Sequence, residues 1–431
     1  MSRRLVLGAA GLLGVSVLAF GAILLLRDGS DAPPRRPPSD EPATETFGEQ
    51  LERVAAVVES IRGLEFEQVP EPTIVPPDEL AERIGQELQA YTPEDAAEDE
   101  RILVALGVLT PDDDLRALII RGYSEQVAGY YDPETRELVV GVEDVSARLG
   151  RIEELVLAHE LQHALADAVL GLPELDGDAV GEEDAVLARQ ALTEGDATLT
   201  MQHYVEEGFS VVDQLLLPTE LADLAEQLAG FTELPHYVQR SFTFPYEEGT
   251  VFVSELVARG GWTAVNDAYS APPTTTAEIL FPDRYPGGET LPVAPPAGPG
   301  EGWQLLRDAE FGAADLLFLF EAPGNDPDLA LEDPLAGAAA WRGGRLHLYT
   351  SDDTSAVGIA LATDDAATLC TSVGAWYDAA HSDDRETSTG EDLRRWEGGR
   401  WSATLSCEAD SVRLGIGPTV AIAGALVGGE G

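Results

Sequence analysis

Two histidines and a glutamate within five residues carry the clearest chemistry in this sequence. His159, Glu160 and His163 lie in an apolar run from Ile152 to Leu170. Because side chains at positions i and i+4 of an α-helix stand on one face, both imidazoles could bind the same metal ion. Glu160 lies about 100° around the helix from His159, where it could contact a metal-bound water without replacing a ligand. A buried helix needs partners for such polar groups, so the pattern predicts a metal site.

A third ligand is expected from the next helix, which the pattern places at about 184–205. This segment contains Glu194 followed by Gly195. A hairpin of two helices could bring Glu194 against the two histidines, and two imidazoles with one carboxylate are a common zinc set. Glycine inside a helix costs about 1 kcal/mol relative to alanine. Close approach of the two helices at the metal would account for Gly195, and an exposed glutamate beside a flexible glycine is the alternative.

The charge of the chain excludes some partners. Its 431 residues include 26 arginines and no lysine against 78 acidic residues, which gives a net charge of −52. Such a surface repels nucleic acid and anionic lipid headgroups, so no nucleic-acid partner is expected. Our hypothesis for the acidity is adaptation to high salt, where screening removes the self-repulsion.

The N-terminal sequence predicts a membrane anchor. After Arg3 and Arg4, the run Leu5–Leu26 has 22 residues without a charge. A helix of this length spans about 33 Å, enough for a bilayer core, and a cleavable signal peptide would have a shorter apolar segment. We therefore expect an uncleaved single-pass anchor over residues 1–26 and a stalk rich in proline and acidic residues over 27–47.

The orientation of this anchor in the membrane is inferred from the cysteines of the globular part. Arginines flank the apolar run on both sides, so the positive-inside rule does not decide. The only two cysteines, Cys370 and Cys407, lack metal-ligand spacing and form either a disulfide or two free buried thiols. We prefer the disulfide. Because disulfides persist in oxidising compartments, it predicts that the globular part lies outside the cytoplasm, attached to the cell membrane.

The remaining pattern predicts an α+β fold in two parts. A mostly helical domain with a small sheet is expected over 48–290, and a small C-terminal α+β domain without recognisable chemistry over 303–431, after a Pro/Gly linker at 291–302. Aromatic and β-branched residues around a polar turn predict a hairpin at 128–141. The other expected helices lie at 48–62, 78–90, 95–109, 113–126 and 366–379, and strands are expected at 345–350 and 356–362.

Two short motifs resemble a known family. The H-E-x-x-H string followed by E-G-x-A at Glu194–Ala197 resembles the gluzincin metallopeptidases, whose zinc is held by two histidines and a glutamate. Pro245–Gly249 is similar to the P-Y-x-x-G element of the aminopeptidase branch related to leukotriene A4 hydrolase. The span from Gly129 to Phe281 also resembles membrane-anchored bacterial proteins of the same group of metallopeptidases.

The resemblance implies a zincin-like metallopeptidase domain that hydrolyses a peptide or protein substrate. His159, His163 and Glu194 would be ligands of Zn²⁺. Glu160 would act as the general base, and the tyrosine of the second motif, Tyr246, would stabilise the oxyanion in the transition state.

The sequence departs from the pattern of this family at two points. No G-x-M-E-N-type element, which the aminopeptidases use to bind a free amino terminus, occurs between 100 and 150, so an endopeptidase is expected. Thr198 stands where thermolysin-like enzymes have an aspartate, so Asp167 or Asp184 is expected to orient a histidine, with Asp196 pointing away. A catalytically silent binding or scaffolding module and a zinc-stabilised structural protein remain the alternatives.

Overall fold

The computed structural model describes residues 45–124, 128–142, 148–175, 182–227, 229–352, 354–390 and 392–428. The expected anchor, and the stalk up to residue 44, lie outside these residues. Within the described ranges no helix is both long and apolar enough to cross a membrane.

The first helices form where the sequence pattern predicts them. They are α1 (Phe47–Arg62), α2 (Pro77–Glu87), α3 (Pro93–Ala105) and α4 (Leu115–Ser124). Thr46 begins α1 with a capping box in which its hydroxyl accepts from the Glu49 amide, and Gly63 ends it in the left-handed conformation. Thr92 and Asp95 form the same box at α3. Local capping chemistry therefore sets these boundaries.

A three-stranded sheet contains the expected hairpin. Strands β2 (Gly129–Asp132) and β3 (Glu137–Gly141) pair antiparallel, and β1 (Thr73–Val75) pairs parallel with the other side of β3. The strand order is β1-β3-β2, so β2 is an edge strand among the residues that the structure describes. An edge strand keeps one row of backbone groups available for another extended chain.

Six α-helices follow in the described ranges between 148 and 280, and the second of them is buried along most of its length. They are α5 (Arg151–Val169), α6 (Glu183–Glu207), α7 (Val211–Gln227), α8 (His236–Gly260), α9 (Trp262–Ser270) and α10 (Thr276–Leu280). Helix α6 lies between α5 and α8 and also contacts α1. The buried carboxylate of Glu154, in the first turn of α5, accepts hydrogen bonds from Gln50 of α1 and Tyr204 of α6 at 2.6 Å each. These bonds fasten α1, α5 and α6 to one another.

The C-terminal part is built on a seven-stranded antiparallel sheet, and the fold as a whole is of mixed α+β type. The strand order is β4-β5-β6-β10-β9-β8-β7. Cys370 and Cys407 form a disulfide, as preferred from the sequence. The remaining elements are β4 (Gln304–Glu310), α11 (Ala313–Glu321), α12 (Pro334–Ala339), β5 (Trp341–Ser351), β6 (Thr354–Thr363), α13 (Ala366–Ala380), β7 (Arg385–Thr389), β8 (Leu393–Glu397), β9 (Ser402–Cys407), β10 (Ser411–Gly417) and α14 (Val420–Leu426).

The helical part and the sheet pack against each other through a continuous hydrophobic core. Buried polar contacts cross between them as well. Arg307 of β4 forms an ion pair with Asp99 of α3, and both side chains are fully buried. The amide of Glu310 in β4 donates a hydrogen bond to the carboxylate of Glu183, at the start of α6, at 3.2 Å. The sheet therefore supports the helices that carry the predicted ligands.

Candidate metal centre

Three side chains from α5 and α6 converge in the interior of the helical part. The Glu194 Oε2 atom lies 3.1 Å from His159 Nε2 and 3.3 Å from His163 Nε2. The two Nε2 atoms lie 3.1 Å from each other. All three side chains are buried. Within the described ranges, these residues are the one group of histidine, cysteine and carboxylate side chains that could hold a metal ion.

The donor set fits a small cation. Two imidazole nitrogens and a carboxylate oxygen present electron pairs to one point, and in the absence of positive charge such pairs repel each other. Ligand atoms about 2.1 Å from a tetrahedral metal stand about 3.4 Å apart, close to the spacing of this group. The other carboxylate oxygen of Glu194, Oε1, is buried without a hydrogen-bond partner in the described structure. A cation would satisfy these buried groups together.

The electrostatics of the group keep Glu194 ionised. Burial by itself would raise the pKa of Glu194, but the neighbouring imidazoles of His163 and His159 lower that pKa to about 2. Burial lowers the pKa of His159. At His163 burial also acts downward, but the Glu194 carboxylate beside it raises the pKa. The carboxylate therefore brings negative charge to the centre, as a metal ligand must.

Glu160 lies beside the ligand pair and next to strand β2. The side chain of Glu160 is fully buried. A Cβ atom placed on Gly129 would lie 3.6 Å from Glu160 Cγ and only 2.8 Å from Val156 of the same helix. The absence of a side chain at Gly129 thus lets the edge strand run close to α5. A carboxylate positioned between a metal group and an edge strand can move protons for a chain bound along that edge.

Tyr246 lies next to His159 of the ligand group. Its ring lies parallel to that of His159 within 28°, with the ring centroids 6.3 Å apart. Tyr246 belongs to α8 and is buried at 4% exposure. The two short motifs, far apart in the sequence, thus come together at the same group.

The contact that brings them together differs from the expected one. A Cβ atom on Gly195 would lie 2.2 Å from the backbone carbonyl of Gly249. Gly195 therefore allows close approach to α8, whereas the sequence analysis assigned it to the contact with the metal helix α5. The reason is the helix geometry. Glu194 faces α5, and Gly195, the next residue, lies about 100° further around α6 and therefore faces α8.

A buried charge network, which sequence reasoning missed, lies next to the ligands. Asp196 accepts hydrogen bonds from Gln162 of α5 at 2.9 Å and from Tyr269 of α9 at 2.8 Å. Arg62, at the end of α1, forms an ion pair with Asp196 at 2.9 Å, and both side chains are fully buried. The sequence contains one indication of this network: an aspartate inside an apolar helix, here Asp196, requires a buried partner. The network holds α1, α5, α6 and α9 together around the centre.

The aspartates expected to orient a histidine bind other groups. Asp167 accepts a hydrogen bond from the Tyr131 hydroxyl at 2.8 Å. Asp184 accepts a hydrogen bond from the amide of Thr276 at the start of α10, at 3.0 Å. The expectation for these two residues is therefore corrected. Asp196 points away from the metal ligands, as expected, and its side chain forms the ion pair with Arg62.

Comparisons of the chain with protein-family models, with curated proteins and with solved structures give no match. The functional assignment therefore depends on the residues themselves. Of the predicted site residues, His159, His163 and Glu194 meet at one point, and Glu160 and Tyr246 lie beside that point.

Proposed function

We propose that this protein is a membrane-anchored, zinc-dependent endopeptidase with a zincin-like metallopeptidase domain. The observation that supports the proposal best is the convergence of His159 Nε2, His163 Nε2 and the Glu194 carboxylate at distances of 3.1 to 3.3 Å in a buried group. Three protein ligands are typical of catalytic zinc sites, which keep one position for water or substrate, whereas structural sites usually have four. The donor set of two imidazoles and a carboxylate favours zinc over calcium or magnesium, which prefer oxygen ligands alone.

The zinc ion would supply Lewis acidity, which makes a water molecule nucleophilic near neutral pH and polarises a peptide carbonyl. His159, His163 and Glu194 would hold the ion. Asp196 would keep α5 and α6 at the separation that this requires, since it accepts a hydrogen bond from Gln162 of α5 and forms a completely buried ion pair with Arg62 of α1.

Glu160 would take the proton from the attacking water and return it to the nitrogen of the leaving amine. Its position in the sequence, next to a ligand, and its place beside strand β2 support this role. The Tyr246 hydroxyl would donate a hydrogen bond to the carbonyl oxygen as that oxygen becomes negative. A donor of this kind is worth about 3 kcal/mol in the transition state.

Strand β2 would position the substrate. As an edge strand it can pair with an extended peptide through backbone hydrogen bonds, without a requirement for particular side chains. Such pairing suits cleavage within a chain, in keeping with the missing amino-terminus-binding element. The substrate would therefore be an unfolded or extended segment of a polypeptide.

The proposed location is the outer side of the cell membrane, with Leu5–Leu26 as the anchor. The Cys370–Cys407 disulfide supports this side, because disulfides persist in oxidising compartments.

The test compares wild type with Glu160→Gln, both as the full chain in high salt. Zinc content is measured by mass spectrometry, and hydrolysis is followed on unfolded casein. We expect about one zinc per chain in both proteins and at least a hundredfold slower hydrolysis in the variant, because the substitution removes only the base. Zinc-replete wild type without activity would favour the silent binding module. Unfolding on zinc removal, again without activity, would favour the structural site.

A further inference from the structure

Over residues 211–222, where its side chains are described, helix α7 presents an exposed face without a charged residue. Its large side chains are exposed by 41% at Val211, 63% at Val212, 73% at Leu215 and 45% at Leu216. The exposed positions that continue this face are also uncharged: Pro218, Thr219 and Ala222. About a quarter of all residues in the chain are charged, 24%, so an ordinary solvent-facing helix should carry acidic groups here. Contiguous exposed apolar side chains indicate an interaction surface.

The rest of α7 is firmly attached to the protein. Leu217 and Leu221, on the opposite face, are buried in the core. The two acidic residues between 211 and 222 both bind Arg151 of α5, Asp213 at 2.7 Å and Glu220 at 2.6 Å. The exposed face over residues 211–222 is therefore the outer side of a docked helix, and Asp213 and Glu220 beside it are paired with Arg151.

The described chain begins at the same edge of the molecule. Glu45, the first described residue, forms an ion pair with Arg148 at 3.2 Å. Arg148 precedes Arg151, the first residue of α5, by three residues, and Arg151 holds α7. The chain thus enters the described fold, at Glu45, close to α7. A protein attached to a bilayer at this point would present α7 to it.

We propose that α7 lies on the bilayer surface, with Val211, Val212, Leu215 and Leu216 inserted at the boundary between headgroups and acyl chains. The inference rests on the membrane location proposed above. Helices with one apolar face bind at this depth, parallel to the membrane plane. Because the chain has a net charge of −52, the lipid surface that suits it is zwitterionic, as in phosphatidylcholine. This contact would hold the globular part in one orientation above the membrane.

The experiment places a fluorescent probe on α7 of the full chain in phosphatidylcholine vesicles. Both native cysteines are joined in the disulfide, so Leu215→Cys provides a single reactive thiol. Quenching is measured with lipids that carry bromine or nitroxide on their acyl chains. Leu305→Cys on β4 is the matched control, since Leu305 is also exposed, by 50%. Helix α6, of 25 residues and about 37 Å, separates the β4 region from α7.

We expect several-fold stronger quenching at position 215 than at position 305, with the same result for Val212→Cys. Equal quenching at 215 and 305 in vesicle-bound protein overturns the inference and leaves the anchor intact. Disulfide formation between two Leu215→Cys chains, without quenching, assigns the face to a second copy and also overturns it. A full chain that does not float with the vesicles overturns the membrane location as well. None of these readouts depends on peptidase activity.

Discussion

Gly195 of α6 and Gly249 of α8 lie directly against each other, so that a Cβ atom on Gly195 would stand 2.2 Å from the Gly249 carbonyl oxygen. Glu194 precedes the first glycine, and Tyr246 lies about one turn before the second. The crossing of the two helices thus sets the distance from the carboxylate ligand to the tyrosine. A larger residue at either glycine would separate them.

Gly249→Ala should therefore both destabilise the protein and weaken the centre. The added Cβ would lie 2.2 Å from the backbone oxygen of Ala191, which cannot move without shifting α6. We expect a loss of at least about 1–3 kcal/mol in the free energy of unfolding, together with lower zinc affinity, measured by urea denaturation and zinc titration. Gly85→Ala in α2 is the matched control, because nothing lies within 4 Å of its Cβ position. Equal stability of the two variants would show that the helices are not in close contact.

Glu194→Ala and Asp196→Asn should differ in zinc binding. The first removes a proposed ligand, so zinc should be lost on dialysis against a mild chelator. The second removes the negative charge opposite Arg62, which should lower the free energy of unfolding by about 3–5 kcal/mol while the zinc stays bound. Zinc content of both variants after dialysis is the measurement. Loss of metal from Asp196→Asn with retention in Glu194→Ala would reverse the ligand assignment.

Tyr246→Phe should slow hydrolysis without loss of zinc. The substitution retains the ring beside His159 and removes only the hydroxyl. We expect kcat to fall by about a hundredfold or more, with little change in KM or zinc content. Tyr377→Phe is the control, because its hydroxyl binds Asp384 in the C-terminal part, and its turnover should equal that of wild type. An unchanged kcat in Tyr246→Phe would remove the tyrosine from the mechanism.

Asp184 should make the stability of the fold depend on pH. Burial raises the pKa of Asp184 to about 8, and the carboxylates of Asp315 and Glu310 add to the shift. A carboxyl group with a higher pKa in the folded chain stabilises the fold while it is protonated. That contribution is complete below about pH 4 and is lost as the pH rises through about 8.

Asp184→Asn removes this titration, so its free energy of unfolding should fall less than that of wild type between pH 5 and 9. The difference should be roughly a few kcal/mol, measured by urea denaturation at constant salt. Glu332→Gln, a change at an exposed carboxylate, should follow the wild-type curve. Parallel curves for Asp184→Asn and wild type would contradict the prediction.

The sequence by itself determined the features that depend on neighbours along the chain. The i, i+4 spacing of His159 and His163 places both imidazoles on one face of any helix, whatever surrounds it. The capping residues Thr46 and Thr92 set where helices begin, and alternation around a polar turn set the hairpin at Gly129–Gly141. These features are local because helix and hairpin hydrogen bonds join residues that are close in sequence.

Only the tertiary structure decided which surfaces meet. The sequence marked Gly195 as a point of close contact, but the partner, α8 in place of α5, depends on how three helices pack at once. The ion pair between Arg62 and Asp196 joins residues of α1 and α6, and no spacing rule connects them. Likewise, the apolar residues of α7 match a core helix in pattern, and burial alone distinguishes its inner face from its exposed one. Such contacts arise from the summed packing of many side chains, which a local sequence pattern does not contain.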